Sequence, residues 1–167
     1  MNNYKVNKTL AMAEIPTIEH LQETDEMVKM LFRYSREILE SGLDRMSPDE
    51  LLKIGGRLAG MYAYFGQKSA YARAERDIAL STYKQVKEAL VLARLTDNKE
   101  YKVTHAKASA VDDLKDEEND TVRLEAVKNQ WESITDSTKT LILFIQSALA
   151  IKKGEMAQSR NINDNSY

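Results

Sequence analysis

The sequence predicts an all-α protein, a long-helix bundle or helical hairpin with coiled-coil-like packing that assembles as a homo-oligomer. Only 2 Pro and 6 Gly interrupt 167 residues, and 43% of the residues are hydrophobic. Apolar residues recur mainly at three- and four-residue spacings, which is the period of a helix with one buried side. The stretch at about 48–95 has no Pro after Pro48 and is about four times the average helix length, so a helix there needs partner helices along its whole length.

A single helical domain is predicted over residues 16–157, between a polar N-terminal segment at 1–15 and a polar tail at 158–167. Its first helix covers about 17–40, where apolar residues from Ile18 to Leu39 keep the helical spacing. Gly42 follows and can end this helix, because glycine tolerates the positive φ that many helix C-termini require.

The second helix is predicted over about 48–95. Ser47 and Glu50 form a capping-box pattern, and Pro48 suits the first helical position. Four glycines weaken the first half of this helix by about 1 kcal/mol each relative to alanine. This cost indicates that the lack of side chains at these glycines permits another helix to approach closely; a kink in the helix is the alternative. The four positions are Gly55, Gly56, Gly60 and Gly66.

The third helix is predicted over about 103–157, after a turn at 96–99 and with a loosening at 116–120. Its second half has a sustained repeat of alternating three- and four-residue steps, typical of a coiled-coil or bundle seam. The predicted oligomer or packing seam consists of Leu124, Val127, Trp131, Ile134, Leu141 and Ile145.

Composition and motifs argue against catalysis. The chain has 0 Cys and 2 His, which excludes disulfides, cysteine zinc sites and a multi-histidine centre within one chain. It has no nucleotide-binding or metalloprotease motif. His105 suits a surface or helix-end position, and the acidic run 112–120 suits a solvated face or partner contact better than a cation site. We therefore expect no enzyme activity, no cofactor and no metal.

No membrane span or secretory signal is expected. The most apolar run, Leu141–Ile151, is too short to cross a bilayer and contains Gln146 and Ser147. The N-terminus lacks a long apolar stretch, so the cytoplasm is the expected compartment.

Charge is segregated along the chain. Residues 1–52 carry 6 basic and 10 acidic side chains, residues 53–107 carry 11 and 5, and residues 108–167 carry 7 and 11. On a helix of 100° per residue, five cations of the middle third share one face. This basic stripe consists of Arg73, Arg76, Lys84, Lys87 and Arg94.

The basic stripe favours binding of single-stranded DNA. Its cations could follow a phosphate backbone, and Tyr83 and Tyr101 could stack on unpaired bases. Two alternatives stay open. The long cationic side chains could lie over an apolar seam that includes Leu80 and Val91, or acidic segments of neighbouring subunits could neutralise them.

Three features resemble the phage UvsY-type recombination mediators, over about residues 70–157. The end of the long basic helix, Leu90-Val91-Leu92-Ala93-Arg94-Leu95, is similar to that family's Lys-Ala-Arg-Leu element. A single Trp131 opens the final apolar helix, and 147–152 reads Ser-Ala-Leu-Ala-Ile-Lys, similar to the family's C-terminal stretch. Leu92 stands where the family motif has Lys, so Arg94 is the one position that carries over.

The resemblance implies a ring-like helical homo-oligomer in the host cytoplasm that binds single-stranded DNA. It also implies that the protein loads a RecA-like recombinase onto strands covered by single-strand-binding protein, without catalysis. The alternative is a non-enzymatic coiled-coil interaction or structural protein, such as a phage adaptor, a scaffold or an inhibitor of a host protein.

Overall fold

The chain folds into five helices in the residues that the structure describes. The structure, a computed structural model, describes residues 18–97 and 102–164, with side chains described over 21–97 and 102–158. No strand occurs in these ranges, so the all-α prediction is confirmed. The helices are α1 Ile18–Thr24, α2 Glu26–Ser41, α3 Pro48–Asp97, α4 Val103–Asp113 and α5 Lys115–Asp164. The predicted N-terminal segment 1–15 lies outside the described residues.

The predicted first helix, 17–40, is two helices that meet at Asp25. The Asp25 backbone is extended, and its carboxylate accepts hydrogen bonds from the N–H groups of Met27 and Val28, at 2.9 and 3.2 Å. Asp25 is therefore an N-cap that starts α2 within the apolar pattern. At the other end, Gly42 terminates α2 with a φ of 75°, as predicted.

The third predicted helix, 103–157, is also divided. The break falls at Leu114, two residues before the predicted loosening at 116–120, so Asp116, Glu117 and Glu118 occupy the first turn of α5. Acidic side chains there complement the positive end of the helix dipole. At its other end, α5 continues to Asp164 instead of stopping at 157, so most of the predicted tail is helical.

α3 is continuous over 50 residues, about 75 Å long. The predicted capping box is confirmed: Ser47 N–H donates to Glu50 Oε2 at 2.8 Å, and Glu50 N–H donates to Ser47 Oγ at 3.3 Å. The hydrogen bond from the Ser47 backbone, followed by one that the Ser47 hydroxyl donates to Glu50 Oε2 at 2.8 Å, lowers the pKa of Glu50. The glycines do not break the helix.

The helices after α1 pack antiparallel on α3. Gly55 lies beside Ile145, whereas Arg76 further along α3 reaches Glu125, so α5 runs in the opposite direction. α4 extends that line beside the last turns of α3, where Arg94 contacts it. On another side, α2 is joined to α3 by the Asp25–Tyr64 hydrogen bond of 2.8 Å.

The hydrophobic core occupies one end of the molecule. We call this end the bundle; it comprises α1, α2, residues 48–72 of α3 and residues 131–149 of α5. The spacing of its buried α3 residues alternates between three and four; they are Leu51, Ile54, Leu58, Met61 and Phe65. Phe65 stacks on Trp131 with ring centroids 6.2 Å apart.

The other end is a two-stranded helical hairpin, which we call the arm. It comprises residues 73–97 of α3, all of α4, the linking residue Leu114, and residues 115–130 of α5. Among its described residues, only Ala106, Ala110 and Leu114 are buried. The arm therefore has little core of its own, and the contacts between its two sides are mostly made by partly exposed side chains.

Candidate nucleic-acid interface

The basic stripe lies along the seam of the arm, where α3 meets α4 and α5. Leu80 and Val91 share this side of α3 and are partly buried. Cations above and below them border the seam instead of standing on the far side of the helix. This arrangement follows from helical periodicity, which places residues of matching phase against the same neighbour.

Arg73 and Arg76 are both engaged by α5. Arg73 Nη2 lies 2.6 Å from Glu132 Oε1, and Arg76 Nε lies 2.5 Å from Glu125 Oε2. Lys128 joins these two pairs, because its Nζ lies 2.8 Å from Glu125 Oε1 and 3.8 Å from Glu132 Oε2. The result is a continuous ion network across the seam.

The network shifts the pKa values of Arg73, Arg76 and Glu125 in the directions that favour charge. Hydrogen bonding to Glu132 raises the pKa of Arg73, and hydrogen bonding to Asp77 followed by the charge of Glu125 raises the pKa of Arg76. Lys128 is the main cause that lowers the pKa of Glu125. These shifts favour the charged forms of Arg73, Arg76 and Glu125 at neutral pH.

Arg94 closes the outer end of the seam. One of its guanidinium nitrogens donates to the Ala106 carbonyl at 3.4 Å, and another pairs with the Asp113 carboxylate. The residue that carries the family resemblance thus holds α4 against α3. A phosphate that binds Arg94 has to compete with Asp113.

Lys84 and Lys87 differ from the three arginines. Neither lysine pairs with a carboxylate in the described part of the chain, and Lys84 is exposed. Lys87 Nζ lies over the Tyr83 ring, 5.4 Å from its centroid, and 3.4 Å from its hydroxyl. These three residues form a cationic and aromatic cluster midway along the arm; Tyr101 lies outside the described residues.

The predicted seam residues face α3 of the same chain. Trp131, Ile134 and Ile145 are buried in the bundle core, and Val127 and Leu141 pack against it. Leu124 is partly exposed at the base of the arm. The same repeat includes Thr138, which is fully buried and donates its hydroxyl to the Ile134 carbonyl at 2.8 Å.

The remaining candidates from the sequence are the two histidines and the acidic run 112–120. His105 is exposed, and the side chain of His20 lies outside the described part. Every residue of the acidic run 112–120 except Leu114 is exposed, and the described residues contain no group of side chains placed to hold a metal ion. Within the same limits, no helix has the length and apolarity that crossing a membrane requires.

Sequence reasoning identified the cations but not their partners within the chain. Asp113, Glu125 and Glu132 become partners because residues 73–94 of α3 run antiparallel to 106–132. The available signal was the opposite charge of the middle and last thirds of the sequence. That signal becomes specific only after the register of the hairpin is known.

Comparison with protein-family models, with curated proteins and with solved structures gave no match to this chain. The resemblance to the recombination mediators therefore stays a prediction that depends on the motifs quoted above.

Proposed function

We propose that this protein is a non-catalytic, single-stranded DNA-binding recombination mediator that uses the arm as its DNA contact. The observation that carries the proposal is the cluster of Lys84, Lys87 and Tyr83, in which Lys87 lies over the Tyr83 ring, the adjacent Lys84 is exposed, and neither lysine has a described carboxylate partner. Cations next to aromatic rings are the usual means of holding single strands without sequence readout.

The arginines extend this cluster in both directions along the arm. Arg73 keeps 61% of its side-chain surface exposed while paired with Glu132, so a phosphate can approach it from solvent. Exposed ion pairs contribute only about 0–1 kcal/mol each, so exchanging a carboxylate for a phosphate has a small cost. Binding by one chain is weak in this account, and assembly into a homo-oligomer multiplies it.

The partners of the proposed activity come from the family resemblance. They are a RecA-like recombinase and single-strand-binding protein, both acting on the same single strand. The protein then has a loading role with no chemistry of its own.

A specific observation favours a second candidate, a structural or interaction protein that does not bind DNA. Arg73, Arg76 and Arg94 each bridge α3 to α5 or α4 through an ion pair, as they would if the stripe served only to close the arm. The two candidates differ in the role of the carboxylates that pair with these arginines. In a DNA-binding protein they compete with phosphate, whereas in a structural protein they only hold the arm closed.

Fluorescence anisotropy of a labelled single-stranded oligonucleotide, titrated across a salt series, tests the proposal. We expect salt-sensitive binding that Lys84→Glu with Lys87→Glu weakens at least about tenfold. Losing two phosphate contacts should also flatten the salt slope by about 1.4, at roughly 0.7 per contact on a single strand. The matched control is Arg33→Glu with Arg36→Glu, an equal charge change on exposed positions of α2.

A reciprocal variant separates the two candidates. Glu125→Gln with Glu132→Gln releases Arg73 and leaves Arg76 paired with Asp77 alone, so DNA affinity should rise if the stripe binds phosphate. Reduced thermal stability with unchanged affinity would instead support the structural candidate. Absence of binding at about 50 mM salt, where phosphate contacts are strong, would overturn the proposal, as would equal weakening by both double charge reversals.

A further inference from the structure

An open groove between α3 and α5 lies on the arm, and we call it the arm groove. Its volume is about 420 Å³, within the range of roughly 300–1,000 Å³ that is usual for small-molecule sites in proteins. The residues that line it include Arg76, Leu80, Val122, Glu125, Ala126 and Asn129. The groove is therefore next to the proposed DNA-binding cluster, because Lys84 follows Leu80 by one helical turn.

Much of the lining of the arm groove is apolar. Leu80 and Ala126 are partly buried, and Val122 is 63% exposed. The carboxylate of Glu125 is neutralised by its ion pairs with α3 and with its own helix. Moving a charged group from water onto an apolar surface is unfavourable. The lining therefore suits an uncharged group better than a phosphate.

Two carboxylates occupy the edge of the Arg76 guanidinium. Its Nη1 donates to Asp77 Oδ1 at 2.6 Å, and its Nε lies 2.5 Å from Glu125 Oε2. The N–H groups of a guanidinium lie in its plane, so these contacts leave its flat faces for stacking. The Arg76 side chain is also 32% exposed, so a planar ligand can reach it. Such a ligand leaves both ion pairs intact, whereas a phosphate has to displace a carboxylate.

A nucleobase combines the properties that this lining requires. It is planar and uncharged, it stacks on guanidinium planes, and its edges form hydrogen bonds. Asn129 is exposed at the groove, and its amide can both donate and accept a hydrogen bond. An apolar side chain of a protein partner would suit Leu80 and Val122 but would use neither the Arg76 face nor the Asn129 amide.

We infer, on the basis of the proposed function, that the arm groove holds one unpaired nucleobase of the bound strand, stacked on the Arg76 guanidinium. Lys84, about 6 Å beyond Leu80 along α3, then contacts a phosphate of the same strand. Cation–phosphate contacts are available on single strands and duplexes alike. A base that is paired and stacked in a duplex cannot enter a groove. The arm groove is therefore the element that selects single strands.

Fluorescence anisotropy with two labelled strands of equal length tests this site. One strand is oligothymidine, and the other is an abasic strand that keeps the phosphates and sugars but lacks the bases. The unmodified chain should bind oligothymidine at least about fivefold more tightly, the contribution expected of one stacked base. This ratio should persist as salt is added, because both strands lose the same phosphate contacts.

Four variants assign the ratio to the arm groove. Ala126→Leu fills the groove without a change of charge, and Arg76→Lys keeps the charge but removes the flat guanidinium. Each should weaken oligothymidine binding at least about fivefold and leave abasic binding unchanged, with helicity preserved in circular dichroism. Ala89→Leu, at an exposed position of α3 outside the groove, is the matched control and should bind both strands normally. Lys84→Glu with Lys87→Glu should weaken both strands by the same factor.

Three results would overturn the inference. The first is equal binding of the two strands by the unmodified chain, which would leave the proposed phosphate contacts intact. The second is a full preference for oligothymidine in both Ala126→Leu and Arg76→Lys, which would place the base elsewhere, for example on Tyr83. The third is that neither strand binds, which would overturn the base site and the proposed function together.

Discussion

The bundle and the arm are built from the same two long helices, but they are held together differently. In the bundle, α2 packs on α3 beside α5, and side chains such as Leu51, Leu58 and Phe65 are completely buried. In the described part of the arm, no further helix covers the hairpin that α3 forms with α4 and α5, and Ile78 and Leu92 are each 67% exposed. Ion pairs of Arg73, Arg76 and Arg94 connect the two sides of the arm instead.

The difference indicates that the bundle supplies most of the stability, whereas the proposed binding surface lies on the arm. Burial of large apolar side chains supplies most of the free energy of folding, and it is concentrated in the bundle. Regions with few buried contacts open more readily, and binding segments are commonly found in them. The arm can therefore exchange its internal carboxylates for external phosphates without loss of the bundle core.

The largest expected effect is on the free energy of unfolding, which a substitution in the bundle should lower more than one in the arm. Phe65→Ala removes a fully buried ring that stacks on Trp131, and it should lower the free energy of unfolding by about 3–5 kcal/mol. Leu90→Ala, at a partly exposed position of the arm, should cost less than about 1.5 kcal/mol because little area is uncovered. Urea denaturation followed by circular dichroism measures both values. Equal losses would contradict the division into bundle and arm.

A smaller effect is expected on acidification. The pKa of Glu125 is lowered in the folded arm, mainly by Lys128, so its contribution to stability is complete above its unfolded value of 4.5 and is lost as the pH falls through the folded pKa. Hydrogen-exchange protection factors, which correct for the slower intrinsic exchange at acidic pH, should then fall in the arm at a higher pH than in the bundle. Glu125→Gln should remove much of this difference. Simultaneous loss of protection in both regions would contradict the assignment.

Much of the bundle could be predicted from the sequence. The three- and four-residue steps from Trp131 to Ile145 located the buried side of α5, and the Ser47–Glu50 pattern located the start of α3. Both depend on local rules of helix geometry and capping, which one segment contains by itself.

Features that depend on contacts between segments were not predictable in the same way. Asp25 falls inside the predicted helix 17–40, but its carboxylate caps α2 and accepts a hydrogen bond from Tyr64. The pairing of Arg76 with Glu125 requires the hairpin register, which no local pattern specifies. The exposure of Gly56 and Gly60 likewise became visible only after α2 and α5 were placed around α3.

The most direct test of the account is hydrogen exchange with and without a single-stranded oligonucleotide, at low salt. If the arm binds DNA, protection should increase at 73–97 and 103–130 and stay unchanged at the bundle residues 28–65. Added protection confined to the bundle, or no change anywhere although the oligonucleotide is bound, would contradict the assignment of DNA binding to the arm.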